Sequence, residues 1–184
     1  IAALRRRAPG VELAGVGGPA MAEQGVRSLY DISELSVLGL FDGLRIFNLV
    51  KRRAAETAEA AKTFRADAAV LIDSWGFMLR AAWAIREADP SIRLIKYVGP
   101  QVFATRPGRA KALAAAVDRL LGIHPFDPDF FEPEGLPTTF VGNPALDRDL
   151  SGDGAAWRAA RGVAPDARLG LVLFGSRKSE LTRL

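Results

Sequence analysis

The chain has 184 residues, of which 49% are hydrophobic and 25% charged, with 25 Lys and Arg against 21 Asp and Glu. This composition excludes a disordered or collagen-like chain, and the net charge of +4 favours anionic partners without selecting nucleic acid, a nucleotide sugar or a membrane surface. Because the chain has no cysteine and a single histidine, His124, thiolate and multi-histidine metal sites are excluded, and we expect chemistry based on carboxylates and arginines with no metal or cofactor.

Hydrophobic periodicity predicts strands and helices that alternate along the chain. Residues 11–16 predict a strand that runs into the turn Gly17-Gly18-Pro19 and a short helix. An apolar stripe from Leu44 to Phe64 predicts an amphipathic helix, and the apolar run 68–72 is typical of a strand buried on both faces of a sheet. The later elements are predicted as helix 77–88, strand 94–98, helix 110–117, strand 120–123, a proline-rich loop, strand 138–141, helix 155–161 and strand 169–174.

Strands that alternate with helices indicate βαβ units and a parallel sheet. We therefore predict an α/β fold, a Rossmann-like doubly wound parallel sheet, over residues 1–143. Residues 144–184 are predicted to be a linker and the truncated start of a second α/β domain, because one strand and one helix cannot bury a core alone. The chain is accordingly expected to be a fragment, trimmed at its front and cut within its second domain.

Asp73 follows the apolar run 68–72 and is the leading catalytic candidate. Ligands of open parallel sheets bind beyond the carboxyl ends of the strands, where a carboxylate can act as a general base toward a substrate hydroxyl. The alternative interpretation is that Asp73 caps the helix beginning near Phe77, since Asp is a preferred N-cap residue. Position alone favours the two equally.

Two glycine turns follow predicted strands and are candidates for phosphate binding. Gly17 and Gly18 lack GxGxxG spacing, so a structural turn is the favoured interpretation there. In the loop 175–180, main-chain N–H groups, the Ser176 hydroxyl and the Arg177 guanidinium can hold a diphosphate together. Glu180 can instead close a capping box with Ser176 or pair with Arg177, and the functional and structural interpretations are equally favoured. The candidate residues of this loop are Gly175, Ser176, Arg177 and Glu180.

Basic residues follow the strand 94–98, on the edge of the sheet expected to carry Asp73. Arg106, Arg109 and Lys111 can bind an anionic substrate there, although most basic clusters are solvated surfaces. His124 follows the next strand, and a hydrogen-bonding loop residue is its favoured interpretation.

The stretch from Val37 to Phe47 is more apolar than a connecting segment should be, and Lys51-Arg52-Arg53 follows it. It is too short and too interrupted for a transmembrane helix. An apolar segment with basic neighbours can dip into an anionic bilayer surface, and packing against the sheet is an equally favoured alternative. The residues predicted to face a membrane are Val37, Leu38, Leu40, Phe41, Leu44 and Phe47.

Six sequence blocks extend these motifs: GVGGPAM at 15–21, LSVLG at 35–39, VLID at 70–73, YVGPQV at 97–102, GNP at 142–144, and GSR at 175–177 with Glu180. In order and spacing they resemble the lipid-A-disaccharide synthase family. Any one block alone is weak, but the six in order make the resemblance specific, and the resemblance extends over residues 11–180.

The resemblance implies a glycosyltransferase of the GT-B type, in which two Rossmann-like domains face each other across a cleft. It implies an inverting enzyme that transfers 2,3-diacylglucosamine from UDP-2,3-diacylglucosamine to the 6-hydroxyl of 2,3-diacylglucosamine 1-phosphate, forming the β-1,6-linked lipid A disaccharide and UDP. Residues 1–143 would be the acceptor-side domain and 144–184 the start of the UDP-binding domain. A cytoplasmic enzyme on the inner-membrane surface, homodimeric when full length, is expected, and the fragment alone is expected to be inactive.

The resemblance also implies roles for individual residues. Asp73 matches the family's essential aspartate, proposed to deprotonate the attacking hydroxyl, and Arg177 matches its essential arginine, expected to stabilise charge on the leaving UDP. The chain departs from the family at IDSWGF (72–77), which lacks the second acidic residue of Ile-Asp-x-Pro-Asp-Phe, at FAT (103–105), where tryptophans are usual, and at Phe174, which replaces a proline. The predicted substrate pocket comprises Gly17, Gly18, Tyr97, Pro100, Arg106 and Asn143.

Two other functions compete with this interpretation. Another GT-B enzyme, either a UDP-sugar glycosyltransferase with a soluble acceptor or an epimerase, would not need the apolar stretch. A basic α/β module that binds nucleic acid would need aromatic side chains within a basic groove. Because Trp75, Trp83 and Trp157 are scattered instead, no nucleic-acid partner is expected.

Overall fold

The structure is a computed structural model that describes residues 1–36, 43–149 and 151–172. Its strands are β1 (Ala68–Ile72), β2 (Arg93–Tyr97), β3 (Arg119–Gly122) and β4 (Thr138–Phe140). Its helices are α1 (Ala2–Arg7), α2 (Pro19–Glu23), α3 (Ser33–Ser36), α4 (Gly43–Thr63), α5 (Trp75–Ala88), α6 (Gly108–Ala114), α7 (Asp127–Phe131) and α8 (Gly154–Ala159), with a 3-10 turn at Glu132–Glu134.

The four strands form one parallel sheet in the order β1-β2-β3-β4. In its register Leu71 lies opposite Lys96, and Lys96 lies opposite Leu120. Because the strands are parallel, their carboxyl ends share one edge of the sheet, here called the carboxyl edge, and their amino ends share the opposite amino edge. The α/β fold with a Rossmann-like parallel sheet that the sequence predicts is confirmed.

The core lies on one face of this sheet. Leu71, Leu94 and Leu120 are 5%, 0% and 0% exposed, and they cluster with buried side chains of α5 and α6. On the opposite face Val70 and Ile72 are 55% and 50% exposed. The prediction that the run 68–72 is buried on both faces is therefore wrong for the described residues, because only the face to which Leu71 points packs against the buried cluster at β1.

The amphipathic helix predicted from Leu44 is confirmed as α4. It packs against α5, and its small residues Ala54 and Ala58 are each 3% exposed. Alanines at a spacing of four lie on one side of a helix and allow close approach of a neighbouring helix. The packing of α4 against α5 helps to hold α5, and with it the turn at the end of β1, in place.

Three predicted elements differ from the structure. Residues 11–16 form no strand beyond an isolated bridge between Gly15 and Ser28, and no strand forms at residues 169–172, while residues 173 and 174 lie outside the described residues. The predicted proline-rich loop contains α7, which has a proline in its first turn, a position where the missing N–H costs no hydrogen bond.

The chain divides into two compact units, Ile1–Asn143 and Pro144–Leu184. The sheet and its core belong to the first. In the second, Asp153 caps α8 by accepting hydrogen bonds from the N–H groups of Ala155 and Ala156, at 3.0 and 2.9 Å. The acceptor-side and UDP-binding roles of the two units stay predictions.

Candidate active site at the carboxyl edge

Asp73 lies at the carboxyl edge, between β1 and α5. Its main-chain N–H donates to the Tyr97 carbonyl at 3.0 Å, so the residue stays tied to β2 after the strand has ended. Asp73 and Ser74 both have left-handed backbones, with φ of 48° and 43°, which turn the chain sharply into α5. The N-cap of α5 is Ser74, and no side chain caps the helix, so the alternative that Asp73 serves as its cap is wrong.

A lysine that the sequence patterns did not single out lies beneath Asp73. Lys96, the last residue but one of β2, is 2% exposed, and its ammonium donates to three carbonyls at the carboxyl edge. The acceptors are Leu71 and Tyr97, both at 3.4 Å, and Asp73 itself. Burial lowers the pKa of Lys96 from 10.5 to about 8, and the negative charge of Asp73 opposes part of that effect. A lysine inside the apolar run Leu94 to Val98 was the available signal.

The loop after β2 also adopts an unusual backbone. Val98 has φ of 67°, rare for a β-branched residue, and its N–H donates to the Leu121 carbonyl of β3 at 3.1 Å. Arg106, a predicted pocket residue, is exposed and has φ of 57°. Nearby, the guanidinium of Arg109 lies 5.0 Å from the ring centre of Trp75, which ties the first turns of α6 and α5 together.

An aromatic group follows β3 on the same edge. His124 stacks on Phe126 with ring centres 5.1 Å apart, and the edge of Phe103 meets both rings. The main-chain N–H of His124 donates to Oδ2 of Asp127 at 3.0 Å, and the ring Nδ1 of His124 lies 3.4 Å from Oδ1 of the same carboxylate. Asp127 is 3% exposed and packs so closely on Gly122 that a Cβ there would lie 2.5 Å from its Oδ2. His124 is thus a hydrogen-bonded loop residue, as the sequence predicts.

The amino edge has a different character. A hollow of about 370 Å³ there is lined by Arg86, Arg93, Asp118 and Arg119. Arg86 and Asp118 already form an ion pair at 2.6 Å, and Asp118 also accepts the N–H of Leu94 at 2.7 Å. Since ligands of parallel sheets bind at the carboxyl ends of strands, we place the candidate site around Asp73 and not in this hollow.

Comparison with known proteins bears on what such a site does. The family model described as lipid-A-disaccharide synthetase matches residues 1–184. The chain belongs to the lipid-A-disaccharide synthetase family. Curated relatives named lipid-A-disaccharide synthase are 45% identical in Rhodospirillum centenum, 44% in Paramagnetospirillum magneticum and 41% in Ruegeria pomeroyi, each over all of this chain. The chain spans 46 to 48% of the length of these three relatives.

Two departures from the synthase pattern have local structural explanations. Trp75, where the family motif has proline, is the first residue of α5, a position that proline also suits. Phe103, in the segment where tryptophans are usual, contacts His124 and Phe126 and so keeps an aromatic ring at the carboxyl edge. Neither change displaces Asp73 from the end of β1.

The glycine turn before α2 has structural reasons for its composition. The Gly17 N–H donates to the Ser28 hydroxyl at 3.1 Å, and that hydroxyl donates to the Tyr30 carbonyl at 2.6 Å. A Cβ at Gly17 would lie 2.0 Å from the Met21 sulfur, so a larger residue there would require the Met21 side chain to move. These contacts agree with a structural turn, and a substrate contact by Gly17 and Gly18 in this synthetase-family chain stays a prediction.

The remaining predicted site residues are distributed between the carboxyl edge and the undescribed part of the chain. Tyr97 ends β2, Pro100 follows it, and Asn143 lies just beyond β4, so all three are at the carboxyl edge and partly buried. The predicted diphosphate loop lies outside the described residues: Gly175, Ser176, Arg177 and Glu180. Within the described ranges, no group of three His, Asp or Glu residues could hold a metal ion.

The predicted membrane-facing residues are only partly described. Val37, Leu38, Leu40 and Phe41 lie outside the described residues, and of Leu44 only its place in α4 is known. Phe47 is 51% exposed, with the Arg80 guanidinium 5.6 Å from its ring centre. No helix in residues 1–36, 43–149 or 151–172 is long and apolar enough to cross a bilayer.

Proposed function

We propose that a full-length protein containing this chain is an inverting glycosyltransferase that forms the lipid A disaccharide. The donor is UDP-2,3-diacylglucosamine and the acceptor is 2,3-diacylglucosamine 1-phosphate, as the resemblance implies. Membership of the lipid-A-disaccharide synthetase family over the whole chain is the observation that carries the proposal. The exposed carboxylate of Asp73 at the carboxyl edge supports it, because ligands of this fold class bind there.

In the proposed reaction Asp73 is the general base. As the acceptor 6-hydroxyl oxygen attacks the anomeric carbon of the donor, its proton moves to the Asp73 carboxylate and the bond between that carbon and the UDP oxygen breaks. Arg177 is proposed to stabilise the negative charge that develops on UDP. Attack from the face opposite the leaving group inverts the anomeric centre and gives the β-1,6 linkage.

The test is a transfer assay with the purified full-length protein and both acylated substrates. We expect one disaccharide and one UDP per turnover, with a β linkage identified from the anomeric proton coupling. Transfer from UDP-N-acetylglucosamine to an unacylated acceptor, or epimerisation without transfer, would replace the proposal with another GT-B activity. The 184-residue chain assayed in parallel is expected to be inactive, because it spans less than half the length of the related synthases.

We further propose that the full-length enzyme is a homodimer that works on the inner-membrane surface, with the segment from Val37 to Phe47 in the lipid. The exposed Phe47 ring and the neighbouring exposed Lys51 and Arg52 support this placement. Flotation with anionic phosphatidylglycerol vesicles should capture the wild type, and Phe47→Asp should reduce capture by about threefold or more. Leu146→Asp, at another exposed leucine, is the control. Equal capture of the wild type and both variants would argue against the membrane placement. Sedimentation velocity of the full-length protein tests whether it is a homodimer.

A further inference from the structure

Lys96 is buried where an apolar residue would continue the core. Its neighbours across the sheet, Leu71 and Leu120, are 5% and 0% exposed, and Lys96 itself is 2% exposed. Burying an ammonium costs free energy unless it makes good hydrogen bonds, so a leucine or methionine would serve the core better. The position of the Lys96 ammonium, next to the main chain of Asp73, indicates a role other than packing.

The ammonium of Lys96 reaches the main chain of Asp73. It donates to the Asp73 carbonyl, while the Asp73 N–H donates to the Tyr97 carbonyl at 3.0 Å. Both polar groups of the Asp73 main chain are therefore held by β2, one by a side chain and one by the backbone. The carboxylate of Asp73 is attached to a residue that cannot turn without breaking one of these bonds.

The backbone that Lys96 holds is an unfavourable one. Asp73 and Ser74 are consecutive non-glycine residues with positive φ, a backbone conformation that L-residues adopt only at a cost in free energy. Backbone strain of this kind persists only where surrounding contacts impose it. Within the described ranges, the main-chain hydrogen bonds at Asp73 that help to impose it are those with Lys96 and Tyr97.

We propose that Lys96 is a positioning residue for catalysis: its ammonium clamps the Asp73 carbonyl and so holds the main chain and the Cα–Cβ bond from which the Asp73 carboxylate reaches the acceptor hydroxyl. This inference rests on the proposed role of Asp73 as the general base. Lys96 lies inside the sheet and does not contact substrate, so its loss affects the rate of the chemical step and leaves substrate binding almost intact.

The test compares Lys96→Met, Lys96→Arg, Asp73→Asn and the double variant in the full-length enzyme. Methionine keeps the volume and removes the donor, and we expect kcat to fall at least about tenfold with KM within about twofold of wild type. Arginine keeps the charge and the donors and should restore most of the rate. Because the lysine acts through Asp73, Lys96→Met should add no further loss to Asp73→Asn. Lys62→Met, at an exposed lysine of α4, is the matched control and should keep the wild-type rate.

The outcomes separate the two proposals. A wild-type kcat in Lys96→Met with a slow Asp73→Asn would overturn the clamp and leave the general base in place, as would losses that multiply in the double variant. A fast Asp73→Asn would instead remove the general base. Thermal melting identifies any variant that does not fold.

If Lys96→Met does not fold, NMR titration of the 13C-labelled lysine Cε signals in wild type and Asp73→Asn decides the question. The Lys96 signal, identified by its absence from Lys96→Arg, should titrate at a lower pH in Asp73→Asn, because the Asp73 charge favours the ammonium. An unchanged titration would mean that the Lys96 ammonium does not lie near the Asp73 carboxylate, and it would overturn the proposed positioning.

Discussion

The two edges of the sheet use their carboxylates differently. At the amino edge, Asp118 accepts hydrogen bonds from Arg86 and from the Leu94 N–H, and Asp89 accepts both the N–H and the hydroxyl of Ser91. At the carboxyl edge, the Asp73 carboxylate accepts no hydrogen bond within the described part of the chain, while its backbone is left-handed and clamped. The Asp118 and Asp89 carboxylates at the amino edge use their oxygens in hydrogen bonds that stabilise the fold, whereas the Asp73 carboxylate at the carboxyl edge can accept hydrogen bonds from a ligand.

This difference supports the candidate site at the carboxyl edge more clearly than the shape of the surface does. The described hollow of about 370 Å³ lies at the amino edge, where its charges already pair with each other. The carboxyl edge instead combines a buried ammonium, left-handed residues at Asp73, Ser74 and Val98, and an exposed carboxylate. A strained backbone beside an exposed acid is typical of functional sites, whereas paired charges stabilise structure.

The largest expected effect comes from substituting the carboxylate that follows β1, and the carboxylate that precedes β1 is the control. Asp73→Asn in the full-length enzyme should lower kcat by about 10² to 10⁴-fold, the usual contribution of a general base. Asp67→Asn, immediately before β1 at the amino edge, should leave kcat unchanged. Disaccharide formation under saturating substrates measures both. Equal effects of the two substitutions would remove the distinction between the edges.

The buried lysine gives a pH dependence of stability with a definite sign. Its pKa is about 8 in the folded chain and has its ordinary value of 10.5 in the unfolded chain, so between these values the unfolded state binds more protons. The free energy of unfolding should therefore gain a Lys96 contribution as pH rises from 8 to 10.5, on the order of 3 kcal/mol at most. Urea titrations of wild type and Lys96→Met at several pH values isolate it. The rise should be absent from Lys96→Met, and its persistence there would mean that another group is responsible.

A smaller effect is expected at the amino edge. Burial alone would raise the pKa of Asp118, but hydrogen bonds from Arg86 and Leu94 and the nearby arginine charges outweigh it and hold that pKa below its usual value. Asp118→Ala should lower the free energy of unfolding by about 1 kcal/mol, because the pair is partly exposed and screened by water. The Asp118 contribution is present above the unfolded pKa and is lost as pH falls through the lowered value. Acid titration of both proteins checks this, and a loss of kcat would contradict a purely structural role.

Local sequence patterns predicted most of the first unit because each pattern also had a packing partner. The run 68–72 became β1 with β2 beside it, and the stripe from Leu44 became α4 with α5 beside it. Residues 11–16 have a similar apolar pattern but pair only through the bridge between Gly15 and Ser28. A β-strand needs a partner strand as well as an apolar sequence pattern, and the sequence pattern does not show which segment pairs with which.

The candidate site was predicted only in part for a related reason. Position after an apolar strand was enough to select Asp73, since all parallel strands end at one edge. The left-handed backbone of Asp73 and the reach of Lys96 depend on the register between β1 and β2, which places Leu71 beside Lys96. A lysine within an apolar run departs from the hydrophobic pattern and so stands out in the sequence, but only the register between β1 and β2 shows which residue its ammonium contacts.

The strand order has a consequence for how the protein is made. Because β1, β2, β3 and β4 are neighbours in the sheet in the order in which they occur in the chain, β2, β3 and β4 each leave the ribosome with one partner strand already synthesised. The sheet can then grow from one side, strand by strand, by closing only the loop that holds the intervening helix. Vectorial synthesis therefore suits this strand order, and Asp73, at the end of β1, can be clamped as soon as β2 has docked.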